Sequence, residues 1–529
     1  MKRFLPEKAA LARCEFAAAA LLTLFLIFLH LRLLMHAGPL WRDEINSLHV
    51  ANTQTVQGFE TALVFNPFPA LFAAVLRIWI ALGFGNSDFH LRILGFIIGL
   101  LFIGAIWLSC RWIDNRWSAP LWPLAMFAAR AMTISDGDSL RPYGLGMMCV
   151  VLVFALIWKL TFETRRTGTM VLAAIVALLS VQSLYLNAFV TFGICFAGIV
   201  VAVKRREFQS AVVIFSIGIV AAISLLPYAG IINSARELWP LQREERGVLD
   251  ASHSYLWLIL AACAFALIVV PWATRRLGHS LGLPADGILF AFLAVAVAAI
   301  ATFAFLWTSG VPGSRHLLPM MAVASVLVHV LSGALQKNIG LRFLNLLAFL
   351  AVVTIVIPVA YRWSSLRRTD CDLAAIAVAQ RSDKNDFAIV MRFTHAITFA
   401  RYYQGAPIWK SVPDISDHRQ HRWDLARDAM IYPDSIREIL WRIESTLKSG
   451  QKVFLVGRFP KAESAPPAPL PPAPQSGWRF FVYQNNWDKQ IGYLLRSHAV
   501  KTERVALGEK RPIDPREHEE VFAFSGWRD

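Results

Sequence analysis

The chain has 529 residues, of which 56% are hydrophobic and only 17% charged, where a soluble domain carries about 25%. Its formal charge of +16 would suit nucleic acid on a soluble face, but from residue 362 onward 26 Lys and Arg oppose 20 Asp and Glu, and the larger excess lies in short loops between apolar runs. That balance argues against a soluble enzyme and a nucleic-acid binder, and for a polytopic α-helical membrane protein.

A hydrocarbon core about 30 Å thick takes roughly 20 apolar residues per helix. About eleven such runs are predicted, near 14–36, 90–110, 118–134, 142–160, 169–184, 186–203, 209–228, 254–273, 287–308, 316–335 and 341–361. The first is longer than a signal-peptide core and lacks a small-residue cleavage site, so it is expected to be a retained helix. Between the first two spans, "NPFPALFAAVLRIWIALGFG" (66–85) has a helical part too short to cross comfortably. It is read as one or two interfacial helices with Arg77 snorkelling, a tilted span being the alternative.

Lys2, Arg3, Lys8 and Arg13 precede the first span, and "CRWIDNRW", "KLTFETRRTG", "KRRE", "TRRLGHS" and "QKNIGLR" recur on the same side. This places the N-terminus in the cytoplasm of an inner (plasma) membrane protein. An odd number of spans then puts the C-terminus outside. The outer loop 229–252 is long enough for a lid, and equally reads as a solvated connector. The six Cys are dispersed without ligand spacing, so neither a disulfide framework nor a zinc site is expected.

After residue 361 the pattern changes. "FAIVM" and "KVFLVG" read as buried strands, 394–404 and 434–449 as helices, and "WRFFVYQNN" and "EVFAFSGW" as strands returning to the same sheet. "APPAPLPPAP" (465–474) is a polyproline-like loop. The expected organisation is a membrane domain, 1–361, with outer loops 38–66, 135–141, 229–252 and 309–315, followed by a small extracytoplasmic α/β domain, 362–529.

Charges gather on the outer side. Asp43 and Glu44 in "WRDEINSLHV" follow the first span, Asp136 and Asp138 lie in "SDGDSLRPYGLG" with Arg141 and Tyr143, and "SRHLLPMM" carries Arg315 and His316. Taken singly, each has a plain explanation as a solvated loop acid, an interfacial anchor or a satisfied histidine. Taken together, they can serve glycosyl transfer: one carboxylate takes the proton of an acceptor hydroxyl, and a phosphate leaving group needs an Arg fork or a metal ion.

In their order, an Asp-Glu after the first span, "NPFP" with an interfacial helix, "DFHLRILGFIIGLL", "SDGDSLRPYGL" and "SRHLLPMM" resemble the polytopic lipid-linked glycosyltransferases of GT-C fold over roughly residues 10–335. These include protein O-mannosyltransferases and the aminoarabinose and galacturonic acid transferases of bacterial lipid A and core. The resemblance carries the family's first-loop acidic motif to Asp43 and Glu44, its His-Pro-Pro to Asn66, Pro67 and Phe68, and the Arg before its second span to Arg92. Its Arg-Pro-Tyr falls on Arg141, Pro142 and Tyr143, and its late Arg-Tyr on Arg315 and His316. Asn66 in place of histidine and His316 in place of tyrosine are departures that bear on donor recognition.

The resemblance implies a polyprenyl-phosphate-linked sugar donor among membrane lipids and an envelope glycan, lipid or protein as acceptor. It also implies transfer on the extracytoplasmic face with inversion. The expected roles are Asp43 as general base, with Glu44 and Asp138 orienting the acceptor or, with Asp43, a divalent cation such as Mg or Mn. Arg92, Asp136, Arg141, Tyr143, Arg315, His316 and Asn66 are expected to line the substrates. A flippase or transporter of polyprenyl-linked lipids could use the same charges, although no inverted pair of broken helices is evident. A non-catalytic membrane scaffold would have no need of two acidic loops.

Overall fold

The computed structural model describes residues 8–66, 68–114, 119–129, 131–163, 166–238, 285–309, 314–432, 434–461, 463, 465–474 and 479–529. They form two compact units: a membrane unit of Met1–Met35, Phe68–Gly230 and Val248–Ser364, and a tail unit of His36–Pro67, Ile231–Gly247 and Ser365–Asp529.

Among the described residues, eight helices are long and apolar enough to cross a membrane: Lys8–His36, Asp88–Ile113, Tyr143–Phe162, Asn187–Lys204, Phe208–Leu238, Ala285–Leu306, Arg315–Ala334 and Ile339–Trp363. The chain is thus a polytopic α-helical membrane protein. Thr167–Ser183 is a shorter apolar helix at the position of a further expected span. Burial separates central from peripheral helices. Tyr143–Phe162 is packed nearly all round, whereas Ile339–Trp363 buries little beyond Leu346, Phe349 and Ala360 and exposes Leu344, Leu347, Leu350 and Ile355, as a helix facing lipid would. Glu15 accepts two hydrogen bonds from the Arg342 guanidinium, at 2.5 and 2.9 Å, tying the first and last of these helices together.

At the run 118–134 the described residues are helical over Leu121–Ala129 and Ala131–Gly137. The segment after Pro69 is the helix Leu71–Trp79 running into a π-helical turn, Ile80–Phe84, broken at Gly83 with φ +96°. At that length it does not cross a membrane. The expected span 254–273 and most of the loop 229–252 lie outside the described residues, although 229–238 are helical.

The tail unit is an α/β fold. Its strands β1 (Phe387–Val390), β2 (Ile408–Ser411), β3 (Val453–Val456), β4 (Ala499–Val505) and β5 (Val521–Trp527) form one sheet in the order β2-β1-β3-β5-β4. β1 runs parallel to β2 and β3, while β5 is antiparallel to β3 and β4. Helices cover both faces, with Ile439, Ile443, Trp487 and Ile491 on one side and Ala374, Val378 and Phe399 on the other. That explains why β1 and β3 are apolar at every position.

"WRFFVYQNN" is not a strand. It opens the helix Phe480–His498, whose buried Phe480, Gln484, Trp487, Ile491 and Leu495 recur every three to four residues. The polyproline stretch runs beside that helix, held where Tyr483 Oη donates to Pro471 O and Asn486 Nδ2 to Ala468 O. Residues 38–66, expected as a loop of the membrane domain, contain the helices Arg42–Asn52 and Val56–Val64 and group with the tail. The reason is a set of specific bonds: Leu40 N donates to Tyr402 Oη, Arg42 N to Glu517 Oε2, and Gln420 Nε2 to Ala62 O.

Candidate functional site

In the tail unit the site is built on the first turn of Arg42–Asn52. Its N-cap, Trp41, is buried beneath three guanidiniums, Arg368 at 4.8 Å, Arg516 at 5.0 Å and Arg42 at 5.5 Å from the indole. Asp514 balances two of them, 3.3 Å from Arg368 and 2.8 Å from Arg516. Glu517 accepts from Arg42 N and, at 2.7 Å, from the Thr398 hydroxyl. Burial nevertheless pushes the Glu517 carboxyl up to about 8, with Arg42 and Thr398 opposing it.

Asp43 and Glu44 occupy that turn with different surroundings. Glu44 is fully buried, and its Oε2 accepts from Trp41 N at 3.3 Å, so it caps the helix that carries it. Asp43 is 4% exposed, with Oδ1 at 3.0 Å from His421 Nε2 and 3.9 Å from Arg42 Nε. Asn66, also buried, closes the helix Val56–Val64 by donating its backbone N–H to Leu63 O. Pro67 lies outside the described residues.

In the membrane unit, the turn after Ala131–Gly137 lies against two glycines of Asp88–Ile113. A Cβ on Gly95 would meet Asp138 O at 1.8 Å, and one on Gly99 would meet Asp138 Oδ1 at 2.3 Å, so only glycine permits this approach. Both Asp138 oxygens lie within 2.8 Å of His30 Nδ1, at the polar edge of a small cavity otherwise walled by Leu26, Phe102, Ile106 and Met147. Asp136, two residues earlier, is buried, its carbonyl accepting from the Ser139 hydroxyl.

The chain then brings Arg141, Tyr143, Arg315 and His316 together. The Arg141 guanidinium sits 4.4 Å over the Phe68 ring, and Phe68 meets Tyr143 edge to face at 5.5 Å. Arg315 lies 6.0 Å from the Tyr143 ring and His316 6.3 Å from it. Tyr143 opens one apolar helix, and Arg315 and His316 lie in the turn that opens another, so both guanidiniums gather where helix N-termini also favour an anion. Arg92 is buried in the second turn of Asp88–Ile113.

No group of three or more His, Cys, Asp or Glu able to hold a metal ion occurs among the described residues. The expected set of Asp43, Glu44 and Asp138 does not fit a divalent cation. Glu44 is committed to its cap, and both Asp138 oxygens to His30. Two site residues escaped the sequence reading, His30 and His421; only the charge-dense "SDHRQHRWD" around the latter could have drawn attention to it.

No protein-family model matches the chain, and no curated protein matches it in sequence. Among solved structures it is similar to ArnT from Cupriavidus metallidurans bound to undecaprenyl phosphate, at 13% identity and a TM-score of 0.47 over 83% of this chain and 92% of that one. It is similar also to the oligosaccharyltransferase AglB from Archaeoglobus fulgidus in complex with an inhibitory peptide and a dolichol-phosphate, at 12% identity and a TM-score of 0.44, over 83% and 69% of the two chains. For the arabinosyltransferase EmbB from Mycobacterium smegmatis the values are 13% identity and a TM-score of 0.32, over 71% and 33%.

Proposed function

We propose that this chain is an integral membrane glycosyltransferase of the GT-C type, which moves a sugar from a polyprenyl-phosphate donor to an envelope acceptor on the extracytoplasmic face. The observation that carries this reading is the gathering of Arg141 and Arg315 around the Phe68–Tyr143 pair at the ends of apolar helices. A donor whose tail lies in lipid and whose phosphate lies at the interface needs cations at that depth, and a fork of N–H donors matches phosphate oxygens better than a point charge does.

Asp43 is the general base. It takes the proton of the acceptor hydroxyl while the oxygen's electron pair forms the bond to the anomeric carbon, and the carbon–oxygen bond to phosphate breaks with its electrons going to the phosphate. In the membrane unit Arg141 and Arg315 bind the donor's phosphate, each charge-assisted contact contributing about 1.5 to 3 kcal/mol. A single displacement inverts the anomeric carbon. Glu44 and Asp138 act as framework, holding the Asp43 helix and the turn that leads to Arg141.

The test compares envelope glycolipids, polysaccharides and glycoproteins by mass spectrometry in cells carrying wild-type protein, Asp43→Asn, Arg315→Gln or none. The glycosylated species present with wild type should vanish without the protein and fall at least 10²-fold with Asp43→Asn. Arg315→Gln should weaken binding of a polyprenyl phosphate about tenfold or more. Full product formation by Asp43→Asn would refute the base assignment. An unchanged envelope without the protein would remove the enzyme class.

A further inference from the structure

The loop before the helix Trp423–Ile431 is braced at unusual density for an irregular segment. Arg422 forks onto Asp424 at 2.7 to 3.2 Å and reaches Asp417 at 2.9 Å, while Arg419 bonds Asp417 through both its backbone and its guanidinium. The Arg422 guanidinium also lies 5.2 Å from the Phe65 ring. Buried Gln420 donates to Ala62 O, and Trp423 N donates to His421 O at 2.7 Å. Between these anchors His421 points its Nε2 at Asp43 Oδ1, 378 positions away in sequence, with both side chains largely buried.

An aspartate carboxylate turns about a soft, nearly two-fold torsion, so the hydrogen bonds it makes decide which way its oxygens face. Resting on the reading of Asp43 as general base, we propose that His421 is its positioning residue. Its Nε2–H donates to Oδ1 and fixes the carboxylate plane, so that the other oxygen is aimed at the acceptor hydroxyl. The braced loop keeps the imidazole from following the carboxylate when it turns. No bond to His421 is made or broken in the reaction; its contribution is orientation, and displacement of a reacting group by about 1 Å can cost on the order of 10²-fold in rate.

The experiment measures formation of the envelope product per unit protein for the full-length chain and its His421→Ala, His421→Gln and Asp43→Asn variants. Thermal unfolding in detergent and binding of a polyprenyl phosphate are measured in parallel. His421→Ala should lower product formation about tenfold with unfolding and lipid-phosphate binding unchanged. Gln offers an N–H where the imidazole has Nε2–H and should restore the rate to within about threefold of wild type. Wild-type rates in His421→Ala overturn the inference, as does a glutamine that fails to rescue, or an alanine loss that follows a fall in unfolding temperature. If Asp43→Asn keeps its rate, the reading of the base falls with it; if Asp43→Asn is inactive and His421→Ala is not impaired, only the role of His421 falls.

Discussion

Replacing His30 by leucine tests the polar centre of the membrane unit without reference to any activity. Both Asp138 oxygens lie within 2.8 Å of the imidazole, and His30 is their only side-chain partner among the described residues; the cavity beside them is lined by Leu26, Phe102, Ile106 and Met147, with Thr133 as a further polar residue. Removing one member of a buried pair strands the other, at a cost of about 3 to 5 kcal/mol when a charge is left and about 1 to 3 when a neutral polar group is left. For a chain of this size that is about 1 to 5 °C in unfolding temperature. Replacing both partners by apolar residues removes the stranded group, so His30→Leu/Asp138→Leu should unfold closer to wild type than either single variant. The assay is thermal unfolding of the four purified proteins in one detergent. Single losses that simply add in the double variant would show that the pair is not coupled and would refute the argument.

Gly95→Ala forces a Cβ against Asp138 O, whereas Gly104→Ala meets nothing within 4 Å; the first should lose about 1 to 3 kcal/mol of stability and the second should match wild type in the same unfolding measurement. Glu517 titrates near 8 in the fold against about 4.5 when unfolded, so the folded state binds its proton more tightly. Its contribution to stability is complete below about pH 4.5 and is lost as pH rises through 8, at up to ~1.4 kcal/mol per pH unit. Buried Asp488, pushed up to about 7, adds a slope of the same sign. His418, pushed down to about 4 by burial, contributes a slope of the opposite sign between about pH 4 and 6.5, so the comparison is between proteins: the unfolding temperature of wild type relative to Glu517→Gln should fall from pH 5 to 8, and parallel profiles would contradict it.

The membrane helices were legible because lipid imposes one requirement on every residue of a span. Ten of the expected runs have helices at their positions among the described residues. The tail was legible where burial on both faces left continuous apolar strands, as in Phe387–Val390 and Val453–Val456. It was not legible at the sheet's edges. β2 and β4 are exposed at several positions, and "VKTER" within β4 offers no apolar alternation to read. Phe480–Tyr483 misled for a related reason: four β-prone residues outweigh a helical period that becomes visible only when Trp487, Ile491 and Leu495 are counted with them.

The site divides along the same line. Residue types at the ends of apolar runs were enough to pick out Arg141, Tyr143, Arg315 and His316, which the fold does assemble around the Phe68–Tyr143 pair. Asp43 was as easy to single out, but what holds it was not legible, because a helix of 11 residues is marginal alone and this one is secured by bonds that no periodicity records. Glu517 takes the backbone N–H of Arg42 from 475 positions away, Gln420 and His421 come from a loop, and three arginines stack about Trp41. Apolar contact alone would tolerate rotation of such a helix, since burial is non-directional. A turn by one residue is 100°, and it would break the Glu517 and His421 bonds together. Directional bonds within the tail unit therefore fix which face of Arg42–Asn52 presents Asp43, and that fixed face is what the role proposed for Asp43 requires.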